Sequence, residues 1–188
     1  MNDARRRAGR RQFLLVAAVF FGPLVLAAWL YYGAALRPGT VSNHGALLEP
    51  IVNLKDELPQ LALLEDPRWQ LVYVNAGPCD EPCREALYTL RQSRLMLGKD
   101  MDRLRRVFLH GDSAPDTLFL ADEHEGLITL QDAGLRAILD DRKPGHLAAG
   151  GYYLIDPHGN LVLYFAPGTN PRDMVDDIEH LLDLSRIG

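Results

Sequence analysis

The sequence predicts an α/β domain with a central mixed sheet flanked by helices, preceded by one N-terminal transmembrane helix. Three observations predict it. Phe13 to Leu36 (FLLVAAVFFGPLVLAAWLYYGAAL) carries no charge over roughly 24 residues, and about 20 apolar residues cross a bilayer. RWQLVYVNA (68–76) and RRVFLHGD (105–112) are apolar runs of strand length on either side of a helical pattern, which implies a parallel crossover. GGYYLIDPHGNLVLYFAPG (150–168) sets two apolar runs around DPHGN, a hairpin signal.

The N-terminal elements come first. Residues 1–12, MNDARRRAGRRQ, hold five arginines and one acid, and arginine is scarce just after the apolar run. That asymmetry places a basic tail (1–12) in the cytoplasm, an anchor at 13–36, and the rest of the chain on the exported side. Trp29, Tyr31 and Tyr32 lie at the far end of the run, where amphipathic rings favour the interface. GRRQFLL resembles a twin-arginine export signal, but the apolar run is longer than the h-region of a cleaved signal peptide. The expectation is therefore an uncleaved single-pass anchor in the inner (plasma) membrane, with a periplasmic globular domain. Beyond residue 11 the chain has 15 basic and 24 acidic side chains, a net charge of −9. An acidic exported domain argues against nucleic acid and against anionic headgroups as partners.

Residues 37–66 are expected to form a tether and entry segment, with Pro38, Gly39 and Gly45 breaking any helix. The domain proper then runs from 67 to 188. After the first strand, CDEPCREALYTLRQSRLMLGKDMDRL spaces Ala86, Leu87, Leu90, Leu95, Leu97 and Leu104 largely as a helix does. Pro82 sits where a first helical turn tolerates a missing N–H. GLITLQDAGLRAILDD (126–141) reads as helical in part. PRDMVDDIEHLLDLSR (171–186) closes the chain as an amphipathic helix with Met174, Val175, Ile178, Leu181 and Leu182 on one face. Strand, helix, strand, helix, hairpin, helix is the thioredoxin-like order.

That order has a consequence for the two cysteines, Cys79 and Cys83. Parallel pairing of the first two strands brings their C-terminal ends to one edge, with Cys79 after one and His110 and Asp112 at the other. The YYLID strand runs antiparallel, so the loop KPGHLAAGG before it carries His146 towards the cysteines, while His158 lies at the opposite edge. A four-residue offset in a first helical turn puts both sulfurs on one face, and the helix N-terminus stabilises thiolate. Such a pair can exchange disulfides or bind Cu(I), with a nearby imidazole completing a three-coordinate site. It can also be a static disulfide, although so short a loop adds little entropic stabilisation. Asp80 and Glu81 suit a helix N-terminus, yet their charge opposes thiolate formation. His110 reads as a packing residue at a strand end, His44 as a turn residue of the tether, His124 as solvated surface, and His180 as half buried. No Ser-His-Asp order, phosphate loop or paired-carboxylate pattern stands out.

The span, the tether, the strand before C-x-x-x-C, and YYLIDPHGNLVLYF together resemble the Sco/SenC group over roughly residues 68–186. These are membrane-anchored, thioredoxin-fold proteins of cytochrome c oxidase assembly. The resemblance implies that Cys79 and Cys83 are a thiol–disulfide or Cu(I)-binding pair; His146 is the candidate third metal ligand, provided an insertion such as Gly150-Gly151 absorbs its offset from the group's histidine position. It further implies a partner that is a cytochrome c oxidase subunit carrying a copper site, or another assembly factor. Alternatives are a non-catalytic assembly scaffold whose disulfide is structural, and a general periplasmic thioredoxin-like reductase for cytochrome c maturation. The pattern departs from the group at three places. Asp80 and Arg84 stand where prolines usually follow the cysteines, and the distal histidine position, five residues before Tyr153, is Ala148. His146 lies two residues further from the strand, and the usual thioredoxin proline before this strand is missing.

Overall fold

A computed structural model of the chain describes residues 15–26, 28–29, 43–113 and 115–185. Two compact units divide at Ser42 and Asn43. In the first, residues 15–26 and 28–29 are helical (α1), with Leu15, Val19, Phe20, Phe21 and Leu24 exposed. Among the described residues no helix is long and apolar enough to cross a membrane. The basic tail, both ends of the expected anchor, and residues 37–42 of the tether lie outside the described residues.

The second unit is built on six strands: β1 (Ala46–Asn53), β2 (Trp69–Asn75), β3 (Leu104–His110), β4 (Ile128–Leu130), β5 (Tyr152–Ile155) and β6 (Asn160–Phe165). Their order in the sheet is β1-β6-β5-β2-β3-β4. The expected pairings are present. β2 and β3 run parallel from Trp69 opposite Leu104 to Asn75 opposite His110. β5 runs antiparallel to β2, with Tyr152 beside Tyr73. Helices α2 (Leu54–Glu57), α3 (Glu81–Met96), α4 (Thr117–Glu123), α5 (Ala133–Arg142) and α6 (Pro171–Leu184) complete the unit.

The central strands are apolar without alternation because both faces are covered. Trp69, Leu71 and Tyr73 of β2 pack with Leu87 and Leu90 of α3 and Met174 and Ile178 of α6. Val72 and Val74 point the other way, into a cluster with Leu135 and Leu139 of α5. In α6, Met174, Val175, Ile178 and Leu182 are buried as the periodicity predicts. The hairpin turn between β5 and β6 is closed by Asp156, whose carboxylate accepts from the backbone N–H of His158 and Asn160. Gly159 takes φ +90° there, a left-handed conformation that glycine adopts without strain.

Three regions differ from expectation. Residues 46–53, assigned to the entry segment, form the edge strand β1, antiparallel to β6. Pro50 lies in a register break between Leu47 and Val52, which an edge strand tolerates and a central one does not. The segment is fastened further by α6. Asp177 is 5 % exposed, and its carboxylate accepts from His44 N–H (3.2 Å) and Gly45 N–H (2.8 Å). The compact unit therefore starts at residue 43 rather than 67. Residues 126–141 are helical in part as expected, in α5, which Asp132 caps by accepting from Leu135 N–H, but they also form the unexpected three-residue strand β4. Finally, α4 was not anticipated at all; Asp116 caps it by accepting from Leu118 and Phe119 N–H.

Two histidines are also placed differently. His180, expected half buried, is exposed on the outer side of α6. His124, expected at a solvated surface, is 3 % exposed and meets the Phe119 ring edge-on at 5.0 Å between centroids. It is the C-terminal cap residue of α4, and its backbone turn directs the ring inward despite flanking glutamates. Burial, aided by the charge of Arg106, holds the imidazole below its usual 6.5. The folded chain then binds fewer protons at His124 than the unfolded chain does, so this contribution is complete above pH 6.5 and is lost as pH falls below it. His124→Gln is expected to flatten the decline of the urea midpoint between about pH 6.5 and 5 relative to the parent chain. Parallel declines in the two proteins would contradict a neutral buried imidazole.

Candidate functional site

The site is assembled where β2 ends and α3 begins. Asn75 closes the strand and organises the next four residues. Its side-chain N–H donates to Pro78 O (3.2 Å), and its side-chain carbonyl accepts from Gly77 N–H (3.2 Å). Its backbone carbonyl accepts from Gly111 N–H at 2.9 Å, tying the ends of β2 and β3 together. Asp80 is the N-cap of α3, with its carboxylate accepting from Cys83 N–H at 3.4 Å, and Pro82 occupies the first turn. The favoured reading of Asp80 as a helix-terminus residue matches this geometry.

Cys79 and Cys83 are joined in a disulfide with Cα atoms 5.0 Å apart. They are not equivalent. Cys83 is 1 % exposed within the core cluster under α3, whereas Cys79 is half buried at its margin. Beneath them, Tyr73 stacks on Phe108 with centroids 5.6 Å apart and meets Tyr152 at 5.4 Å. Burial, with the Asp80 charge adding to it, pushes the Tyr73 phenol up to about 12, so it stays protonated at neutral pH. Tyr152 Oη donates to Ala86 O of α3 (3.2 Å). A cleft of about 360 Å³ opens beside the pair, between Pro82 and Ala86 on one side and Gly150, Tyr152 and Pro167 on the other.

The loop before β5 reaches this edge as expected, but it brings backbone rather than imidazole. Val74 N–H donates to Gly151 O at 3.3 Å, and Gly150 lines the cleft. His146 instead sits exposed in a turn closed by Leu147 N–H donating to Pro144 O. Leu147 packs with the α5-side cluster, on the opposite face of the sheet from the cluster that holds the cysteines. Ala148 offers only its carbonyl, which accepts from Tyr164 Oη. His110 lies at the same edge, with Nδ1 bonded to Gly111 O at 2.8 Å and its ring 5.7 Å from Phe108. His158 is in the hairpin turn, at the far edge. Among the described residues no three His, Cys, Asp or Glu side chains are grouped to hold a metal ion. Cys79, Cys83 and His146 thus do not form the expected three-ligand set, and the two sulfurs are the only members brought together.

What the geometry can do is exchange disulfides. One sulfur is reachable and the other is shielded, and both lie at a helix N-terminus whose partial positive charge favours thiolate. The sequence reading missed Asn75, Gly111 and the Tyr73–Tyr152 pair. An Asn-x-Gly-Pro run at a strand end was the one local signal for the first.

These features define a thioredoxin-fold protein with a Cys pair at the start of its first core helix. The family model described as transmembrane-like, thioredoxin-like, C-terminal domain matches residues 69–185, and the chain belongs to that family. The transmembrane-like N-terminal domain model matches residues 2–34. No curated protein sequence matches the chain. Among solved structures, copper-bound ScoI of Arabidopsis thaliana is similar at 15 % identity and TM-score 0.51, covering 64 % of this chain and 88 % of that one. Yeast Sco1 with copper bound is similar at 16 % identity and TM-score 0.51, covering 76 % of this chain and 90 % of that one. At these identities the likeness is one of fold.

Proposed function

We propose that the chain is a membrane-anchored thiol–disulfide protein of Sco type, with its compact unit in the periplasm, that aids assembly of the copper centre of cytochrome c oxidase. The observation that carries this reading is the asymmetric pair, a half-buried Cys79 bonded to a buried Cys83 at the start of α3. In the reduced protein, Cys79 thiolate attacks one sulfur of a partner disulfide and releases the other as thiolate. Cys83 thiolate then attacks Cys79 sulfur, reforming the Cys79–Cys83 bond and releasing the second partner thiolate. The partner gains two electrons and the chain loses two, which an external dithiol restores. The partner is a cytochrome c oxidase subunit with an apo copper site, or another assembly factor.

Delivery of Cu(I) is the second reading, supported by two adjacent soft ligands and by the fold shared with copper-bound Sco structures. The residues supply a two-thiolate site and no third ligand among the described residues, so electrons are favoured over copper as cargo. One experiment separates the readings. The reduced full chain is expected to reduce a disulfide-oxidised oxidase copper-site domain, and Cys79→Ala/Cys83→Ala is expected to be inert. Cu(I) retention above that double variant, lost in His146→Ala, would instead favour copper carriage. A potential below about −300 mV with no exchange would leave a structural disulfide in a scaffold protein.

A further inference from the structure

The helix that begins at the cysteine pair also forms one wall of a separate groove. Glu81 and Tyr88 each stand three and four residues from the adjacent pair Arg84 and Glu85, so the four lie on one face of α3. The opposite wall is Phe119 and Glu123 of α4, and the space between them is about 550 Å³. Glu81 is the first residue of α3 and lies between the two cysteines in sequence, so the groove begins at the end of the helix that carries the pair and runs away from it along α3.

Its chemistry is one-sided. The single cation of the lining, Arg84, is laid over the Phe119 ring with its guanidinium carbon 4.4 Å from the centroid. Glu81, Glu85 and Glu123 are exposed and take part in no ion pair among the described residues. Tyr88 of the lining is 55 % exposed, and Leu118, next to Phe119 in sequence, is 82 % exposed. A protein that brings its own sulfur to Cys79 meets the same end of α3 at which this groove begins. Glu85 is one turn past Glu81, about 6 Å along the axis, which an extended segment covers in about two residues.

Building on the thiol–disulfide reading, we infer that the α3–α4 groove docks the segment of the redox partner next to its reacting cysteine, and that this segment carries Arg or Lys beside an apolar side chain. The carboxylates meet the cation, and Tyr88 and Phe119 meet the apolar group. The cleft beside Pro82 shares Glu85 with this groove and has no other charged side chain in its lining, whereas the groove adds Glu81 and Glu123, so the sign of selectivity is set mainly here.

The test uses the reduced full chain and two peptide disulfides. One has Phe and Arg two and three positions before its cysteine; the other has Glu in place of Arg. The cationic peptide is expected to exchange at least about tenfold faster at low salt, with the margin shrinking severalfold in 1 M salt. Glu85→Lys/Glu123→Lys is expected to reverse the preference, while Asp56→Lys/Glu57→Lys, an equal charge change at a distant exposed site, is expected to retain it. Reaction with a small neutral disulfide, unchanged within about twofold, shows that the reversed variant is folded and its thiols intact. Equal rates for both peptides, or a preference that survives the reversal at Glu85 and Glu123, would overturn the groove. A Ser-for-Cys version of each peptide separates docking from chemistry by fluorescence anisotropy. Selective binding of the cationic version without exchange would keep the groove and remove the redox reading; exchange without charge selectivity would do the opposite.

Discussion

Cys83→Ser is expected to convert the chain into a trap. Cys79, the more exposed sulfur, still attacks a partner disulfide, but the buried group that resolves the adduct is now a hydroxyl. The mixed disulfide should therefore accumulate as a covalent species seen on non-reducing gels and lost on adding dithiol. Release of the second partner thiol should slow by at least about a hundredfold, because an intramolecular attack held in place by the fold is replaced by a bimolecular one. Cys79→Ser should give no adduct, since Cys83 is 1 % exposed and cannot reach a partner sulfur. Equal trapping by both variants would mean that burial does not distinguish the sulfurs. Absence of any adduct in either would remove the exchange mechanism. The substitution replaces a buried sulfur by a smaller polar oxygen, so Cys83→Ala serves as the comparison for stability.

Gly111→Ala is expected to be a severely damaging change, although Gly111 is not one of the cysteines. A Cβ at this position would stand 2.0 Å from Ala76 O and 2.7 Å from Ala76 C. Both are backbone atoms, so no side chain can rotate away to make room. The strand ends would have to separate, breaking the 2.9 Å bond from Gly111 N–H to Asn75 O. Overpacking of this kind costs about 3 kcal/mol, which lowers Tm by roughly 10 °C in a unit of this size. The same movement displaces Asn75, whose side chain holds Gly77 and Pro78 in front of Cys79. Exchange should therefore slow in variant protein that remains folded. A parental Tm would show that the two strand ends are not in contact.

Much of the framework was legible because it depends on local periodicity. Burial on both faces made β2 and β3 continuous apolar runs, and the 3.6-residue repeat of Met174, Val175, Ile178 and Leu182 marked α6. DPHGN marked a hairpin because Asp156 and Gly159 form the turn through their own backbone and side-chain chemistry. β1 was not legible in this way. Its residues alternate weakly around Pro50, and what makes them a strand is the distant edge of β6 together with Asp177 of α6. β4, with three residues, is too short to show a period and exists because β3 offers it a parallel ladder. His124 misled for a related reason: two neighbouring glutamates describe the chemical character of the segment, whereas the turn at the end of α4 decides where a ring points.

By itself, the sequence determined a charge-free apolar stretch behind a basic tail, a parallel crossover with two cysteines after its first strand, and the spacing that places both at one helix start. Those are properties of neighbours along the chain, set by hydrophobic pattern and by capping residues such as Asp80. Only the tertiary structure decided which sulfur is shielded, where the second unit begins, and what stands opposite the pair. His146 and Ala148 show the difference. Topology carried their loop to the correct edge, but Leu147 packs on the far side of the sheet and Tyr164 takes the Ala148 carbonyl. Which part of a loop faces a site is settled by such contacts, formed between residues distant in sequence, and no count of positions along the chain contains them.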